Sequence, residues 1–376
     1  MFFKKVNTFC KIINDKAGDG YGLCDFLLRR RGVYFIYDGF KWAIYWEGYY
    51  IALNIKQHYK INCRLVSELR FMRNQIIHFG YQFEILGDKY KKLHKSNSVV
   101  LTCMHGSRND PNFSTVIDYV INQQNRISYT ITPCTIMYQR LIEYGFKQEK
   151  VIKIPIGVDL DRFFPLSLAE RNAMRKHLGI KPEHIVIGSF QKDGVGWQEG
   201  LEPKLIKGPD IFLKVVGSLI KRFPIFVLVI GPARGYVKKG LERLGIPYSY
   251  FDVPYEKIAP YYHALDFYLI SSREEGGPHA VLESMASGVP LVSTRVGMAN
   301  DIIRDGENGF INEVEDIDGL TKSCEHLIAS PEIRNHLINN GLRTSRNYDW
   351  KDIAIQYYEK VYKPLLMNNR PAIPGP

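Results

Sequence analysis

The stretch Arg273-Glu-Glu-Gly-Gly-Pro-His-Ala-Val-Leu-Glu-Ser-Met-Ala-Ser-Gly-Val-Pro290 decides how this chain is read. It follows an apolar run of strand length, Asp266-Phe-Tyr-Leu-Ile-Ser271, and its paired glycines break the chain direction. Pro278 suits the first position of a helix, and Val281, Leu282, Met285 and Ala286 then recur at helical spacing. One carboxylate, Glu275, is therefore expected in the turn at a strand's C-terminal edge, and a second, Glu283, inside the following helix. In an open α/β sheet that edge is where ligands bind, and free N–H groups at a helix start suit a phosphate. A phosphate flanked by two acceptor-only carboxylates implies a ligand with phosphate in its middle and hydroxyls at both ends. A nucleotide-sugar is such a ligand.

The rest of the chain sets the frame for that site. Its 376 residues suffice for two domains with separate cores. Hydrophobic and charged contents of 45% and 24% are those of an ordinary soluble globular protein. The six cysteines show neither a CxxC pair nor metal-like spacing, so reduced, buried thiols in a cytosolic protein are expected. The longest apolar stretch, Trp42 to Ile55, is too short for a membrane span and carries Glu47. A cleaved signal peptide is not expected either, because no uninterrupted apolar segment stands near the N-terminus.

Charge is unevenly placed. Residues 1–150 hold 22 Lys+Arg against 12 Asp+Glu, and the remainder 28 against 27, so nearly all of the net +11 lies in the first half. A basic half implies an anionic partner: a phosphorylated acceptor, an anionic membrane surface or nucleic acid. The plain alternative is a solvated basic surface.

After a polar lead, residues 1–31, strand candidates stand at Gly32–Tyr37, Cys63–Val66, Gln75–His78, Val99–Cys103 and Ile127–Thr130, with helices at Lys41–Gln57 and Ile136–Tyr144. Val151–Asp159 reads as a connector. A second series follows: strands at Ile185–Phe190, Phe226–Ile230, Tyr268–Ile270 and Pro290–Ser293, with helices at Asp210–Lys221 and Lys257–Ala264. The tail from Trp350 to Lys363 is an amphipathic helix. Strands alternating with helices argue parallel sheets covered on both faces.

In this order the motifs resemble retaining glycosyltransferases of the family-4 type. Ile154-Pro-Ile-Gly-Val-Asp159 resembles the family's interdomain IPNGVD, and Lys207-Gly-Pro-Asp210 its KGxD helix start. Val229-Ile-Gly-Pro232 stands at its VGxG strand end, and Glu275 and Glu283 fit its E-x7-E; Glu274 would give a spacing of nine. Gly288–Ser293 and Asp305–Phe310 resemble its closing segments. The resemblance covers most of the second half and thins in the first, where Ser128–Gly145 and Val99–His105 are the matching pieces and Asp38-Gly39 is nearest to the family's first glycine-rich turn.

The resemblance implies the α/β GT-B architecture, two Rossmann-like doubly wound parallel-sheet domains facing a central cleft. The acceptor domain would be 1–153, with the C-terminal helix 349–370 packing back on it, and the donor domain 154–348. It also implies roles. Glu275 would hold hydroxyls of the donor sugar and Glu283 the ribose, with the backbone of Gly276, Gly277 and His279 near sugar and phosphates. His105, at a strand end, would contact the donor sugar and place the acceptor. Lys207 is the main candidate cation for the leaving diphosphate. The family's arginine after the first glycine of this domain is absent: Gly188 is followed by Ser189, and Lys192 or Lys204 of the insertion Gln191–Gly200 and its flank are the candidates to replace it. Val253-Pro-Tyr255 lies where a nucleobase would stack. Asp38 would be a base or acceptor contact, or only a turn-forming Asp-Gly.

The expected function is then metal-independent transfer of a sugar from a nucleotide-diphosphate sugar to a glycan, lipid-phosphate-linked or other hydroxyl acceptor, with retention and without a cofactor. The expected place is the cytoplasm, with peripheral contact at an anionic membrane face. The alternatives are a nucleotide-sugar epimerase or phosphorylase on the same fold, or a catalytically silent partner of another transferase. Nucleic-acid binding has no module to support it. A glycosidase pair fails because one carboxylate stands at a phosphate-type helix start, and no GxGxxG opens a βαβ unit.

Overall fold

The computed structural model describes residues 31–368; residues 1–30 of the polar lead and the proline-bearing end lie outside the described residues. Packing divides the chain into two units. The first holds the described chain up to Pro133, Met137–Ile156 and the segment from Trp350 onward; the second holds Cys134–Ile136 and Gly157–Asp349.

The first unit is built on β1 (Val33–Ile36), β2 (Cys63–Val66), β3 (Ile76–Phe79), β4 (Ser98–Thr102), β5 (Ile127–Thr132) and β6 (Val151–Lys153). They form one all-parallel sheet in the order β2-β1-β3-β4-β5-β6. All four residues of β1 are buried, and so are those of β3. That explains why these strands read as continuous apolar runs, since a parallel sheet is covered on both faces. The tail helix Trp350–Tyr357 packs on the helix Ala43–Tyr59, with the Tyr50 and Trp350 rings stacked 5.5 Å apart and those of Tyr59 and Tyr358 3.7 Å apart. The tail continues as a π-helix, Tyr358–Tyr362, which brings the Tyr362 hydroxyl to 2.6 Å from His78 Nδ1.

The second unit repeats the plan with β7 (Ile185–Ser189), β8 (Ile225–Ile230), β9 (Tyr248–Phe251), β10 (Phe267–Ile270), β11 (Leu291–Thr294) and β12 (Phe310–Asn312). Their order is β12-β11-β10-β7-β8-β9, again all parallel. From β7 the chain winds outward through β8 to β9, then returns to the other side of β7 as β10. The strand order therefore reverses between β7 and β10. Its core centres on buried Ile187, Val227, Val229, Leu269 and Val292 of the sheet and Ile211, Val215 and Leu219 of the helix Pro209–Leu219.

Three strands have no counterpart in the sequence reading: β6, which reads as a connector, β9 and β12. Each is the outermost strand of its sheet or pairs on one side only. Such strands are short or half-buried, and pairing rather than an apolar run makes them.

His78 offers a measurable consequence of this packing. Its ring is fully buried between Tyr362 and Thr102, and burial pushes its pKa down from the ordinary value to about 3. Below the ordinary histidine range the unfolded chain takes up a proton that the native state does not. Stability present above that range is therefore lost as pH falls, by up to about 1.4 kcal/mol per pH unit. Chemical denaturation should show His78→Gln lacking about 2 kcal/mol of the loss that the wild type suffers between about pH 6.5 and about pH 5.

Candidate functional site

Two loops leave the sheet edge where the strand order of the second unit reverses. One follows β7 and runs to the helix Pro209–Leu219; the other follows β10 and runs to the helix His279–Ala286. β7 and β10 are hydrogen-bonded neighbours whose connections depart in opposite directions, the arrangement that leaves a ligand crevice in open α/β sheets.

The loops are locked together by backbone contact. Gly208 has φ +62°, and a Cβ there would come within 1.8 Å of the Ser271 carbonyl oxygen, so only glycine fits. The Ser271 hydroxyl donates to Gly208 O at 2.8 Å, and the N–H groups of Arg273 and Glu274 donate to Ile206 O at 2.8 and 3.1 Å. The Arg273 guanidinium then grips both Asp210 oxygens at 2.7 and 2.8 Å and also binds Glu315. The Asp of Lys-Gly-Pro-Asp is thus a clamp between the loops, acting through Arg273.

This lock sets Lys207 against Glu275. The Lys207 ammonium lies 2.5 Å from Glu275 Oε2, and Ser272 Oγ donates to Glu275 Oε1 at 2.9 Å. Their side chains are 16% and 9% exposed, sheltered enough for the pair to be held rather than averaged by water. One of three ammonium donors is spent on Glu275; a lysine keeps two for a ligand. The Glu275 turn is backed by Gly297, where a Cβ would meet Glu275 O and Gly276 O at 2.5 and 2.3 Å, and by Met298 N–H donating to Gly276 O at 2.8 Å.

Pro278 is the residue before the helix rather than its first member, and the helix begins at His279 without a side-chain cap. Gly276, Gly277 and His279 therefore form its mouth. Within the helix Glu283 is only 4% exposed, not a solvated face, and its two oxygens accept from Tyr255 and Tyr262 hydroxyls, each at 2.7 Å. Burial pushes the Tyr262 phenol well up, so it stays a donor. Tyr255 also meets the His279 ring edge-on, centroids 6.3 Å apart. Val253 is half-buried in the same loop, but Tyr255 is the residue that reaches Glu283.

The turn after β7 has an unexpected occupant. Arg234, from the loop after β8, is buried, and all five of its N–H groups are used: on Ser189 O and Oγ, Ile230 O and both Asp193 oxygens. Ser189 is buried, with its hydroxyl spent on this arginine. Burial pushes the Asp193 carboxyl up, and Arg234 opposes that shift. Lys192 donates to Gly194 O at 3.1 Å and lies 4.7 Å over the Trp197 ring. Sequence reasoning missed Ser272, Tyr262, Arg273 and Arg234, because none carries a motif signal and each acts through a partner distant in sequence. Among the described residues no group of three or more His, Cys, Asp or Glu could hold a metal ion, and no helix is long and apolar enough to cross a membrane.

Asp38 and His105 belong to the first unit. Asp38 follows β1 and its Oδ1 accepts from Phe40 N and Trp42 Nε1 at 3.2 and 2.8 Å, the arrangement of a turn-forming aspartate. His105 is half-buried beyond β4, with its carbonyl accepting from Gln82 at 2.9 Å.

Residues 201–344, which include Lys207, Glu275 and Glu283, match the family model described as glycosyl transferases group 1. That match falls entirely within the second unit. Curated relatives include D-inositol 3-phosphate glycosyltransferases of Actinosynnema mirum, 27% identical over 55% of this chain and 50% of the relative, and of Geodermatophilus obscurus, 25% identical over 63% and 53%. The chain thus spans about half the length of the curated relatives it matches. Among solved structures, Anabaena Alr3699/HepE in complex with UDP and glucose superposes with a TM-score of 0.72 at 16% identity, over 89% of this chain and all of that one. That likeness is one of fold, two Rossmann-like α/β domains of the GT-B kind.

In the matched segment, Arg234→Met would leave Asp193 buried and unpaired, and should cost about 3–5 kcal/mol in chemical denaturation. The double variant Arg234→Met with Asp193→Leu should recover part of that loss, because the stranded charge is gone.

Proposed function

We propose that this chain is a retaining glycosyltransferase whose second unit binds a nucleotide-diphosphate sugar and whose basic first unit recognises a hydroxyl acceptor. The observation that carries the reading is the Lys207–Glu275 pair, seated where the strand order reverses and beside the open mouth of the helix His279–Ala286. Breaking an anomeric C–O bond leaves negative charge on the departing diphosphate. Lys207 and the N–H groups at the helix mouth meet that charge, and they do so more strongly in the transition state than in the ground state. Glu275, an acceptor-only group beside the cation, suits hydroxyls of the sugar. Glu283, held by two tyrosines, suits the ribose. In this reading lysine and backbone dipoles serve in place of a metal ion, and same-face attack, with the departing phosphate taking the acceptor's proton, retains the anomeric configuration.

The matched relatives are named for an inositol phosphate acceptor, and the fold neighbour was solved with UDP-glucose. A UDP-sugar donor and a phosphate-bearing acceptor are therefore the first to test, and the cationic first half supports the second choice. The same charge supports peripheral contact of the first unit with an anionic membrane face.

Thermal unfolding with UDP-, GDP- and ADP-sugars should single out one donor class, since ligand at a hundred times its Kd adds about 2.7 kcal/mol of stability. With that donor, Lys207→Ala and Glu275→Gln should each lower transfer by about 100-fold or more while keeping a cooperative unfolding transition. Chelator should leave the wild-type rate unchanged. Wild-type rates in both variants would remove the site, and conversion of donor without acceptor would point to an epimerase.

A further inference from the structure

The insertion after β7 does more than fill space. It folds back on itself through an antiparallel bridge between Gly194 and Pro203, with Val195 N–H donating to Glu202 O at 2.8 Å and Lys204 N–H to Asp193 O at 2.7 Å. Its base hangs on the saturated Arg234, and its far side is tied by Gly235 N–H to Glu199 O at 2.7 Å and Tyr236 N–H to Gly200 O at 2.9 Å. Lys204 leaves this hairpin and enters the turn Leu205–Lys207, where its carbonyl accepts from Lys207 N–H at 2.8 Å. The Lys204 backbone is thus fixed on both sides, one turn before the catalytic-site lysine.

Its ammonium is half-buried and makes neither an ion pair nor a hydrogen bond among the described residues. The charged groups facing it are Lys207, Lys192 and Glu275. Burial first, then the two neighbouring lysines, push its pKa down, and Glu275 alone opposes them. Glu275 is already held by Lys207 and Ser272, both Asp193 oxygens are taken by Arg234, and Lys192 is turned to Gly194 O and Trp197. Lys204 and Lys207 share one carboxylate, Glu275, while Lys192, which faces Asp193, adds a third positive charge beside Lys204. Such an excess is unfavourable unless an anion with more than one charge joins it.

We propose that Lys204 is the second cation of the diphosphate subsite, supplied by the insertion where Ser189 follows Gly188 and no arginine stands. The proposal rests on the donor reading above and adds a residue to it. Lys207 and Lys204, spaced along one turn, would each take one phosphate of the pair, and the Arg234 lock would hold the hairpin base so that Lys204 needs no reordering on binding.

Calorimetric titration of the full chain with inorganic diphosphate tests this with Lys204→Ala, Lys204→Arg, Lys192→Ala and Lys207→Ala. Lys204→Ala should weaken binding by about tenfold to a hundredfold, the range of one charged hydrogen bond, and Lys204→Arg should restore most of it. Unliganded Lys204→Ala should unfold no earlier than the wild type, since repulsion is relieved. Wild-type affinity should also fall relative to Lys204→Arg as pH rises, because a lysine with a lowered pKa loses its charge early and an arginine does not. Diphosphate binding by Lys204→Ala at wild-type strength, or a loss carried by Lys192→Ala instead, would overturn the proposal. If Lys207→Ala still loses binding in that case, the donor reading stands without Lys204. If the wild type itself ignores diphosphate, the donor reading falls as well.

Discussion

Everything proposed for this molecule depends on one close approach, that of Gly208 to the Ser271 carbonyl. It joins the loop after β7 to the loop after β10 so tightly that no side chain fits between them. A lysine and a glutamate distant in sequence then meet at 2.5 Å without either loop having to order itself when a ligand arrives. Preorganisation of this kind is what electrostatic catalysis needs, because donors already in place cost nothing to align as charge develops. The Arg273 clamp on Asp210 serves the same end by cross-linking the two loops with a bidentate ion pair.

The electrostatics of the second unit divide into a closed part and an open part. Arg234 and Asp193 are closed: buried, mutually neutralised, with all five guanidinium donors spent. A pair of this kind contributes little net stability compared with apolar packing, but it ties the β7 turn to the β8 loop in one arrangement only. Lys192, Lys204, Lys207 and Glu275 are the open part, where positive charge exceeds negative within a sheltered corner. The closed pair fixes the geometry that makes the open excess useful.

The first unit is completed from the far end of the chain. The tail helix adds Trp350 and Tyr358 to the aromatic side of Ala43–Tyr59 and delivers Tyr362 to His78 in the middle of the sheet. Without that tail the histidine would lose a buried hydrogen-bond partner, and the helix Ala43–Tyr59 would expose Tyr50. The tail is therefore a structural member of the unit that opens the sequence.

How much of this was legible beforehand follows from what each feature depends on. Central strands such as Ile185–Ser189 and Ile225–Ile230 declare themselves, since burial on both faces demands an unbroken apolar run. Edge strands such as Tyr248–Phe251 do not, because their existence lies in a neighbour's hydrogen bonds. The spacing from Glu275 to Glu283, the glycine before Pro209 and the lysine before that glycine placed these residues at one strand edge, since turns and helix starts constrain residue types locally. Nothing in the chain order tells that Arg234 fills the space behind Ser189, that Glu283 is held by Tyr255 and Tyr262, or that Lys192 turns toward Trp197 while Lys204 does not. Those assignments arise only when segments far apart are packed together, because burial and charge pairing belong to positions in space. By itself the sequence determined two parallel-sheet units and the residues at one strand edge; the tertiary structure alone decided which of those side chains are spent on one another and which stay outside such pairs, because pairing is a matter of position in space.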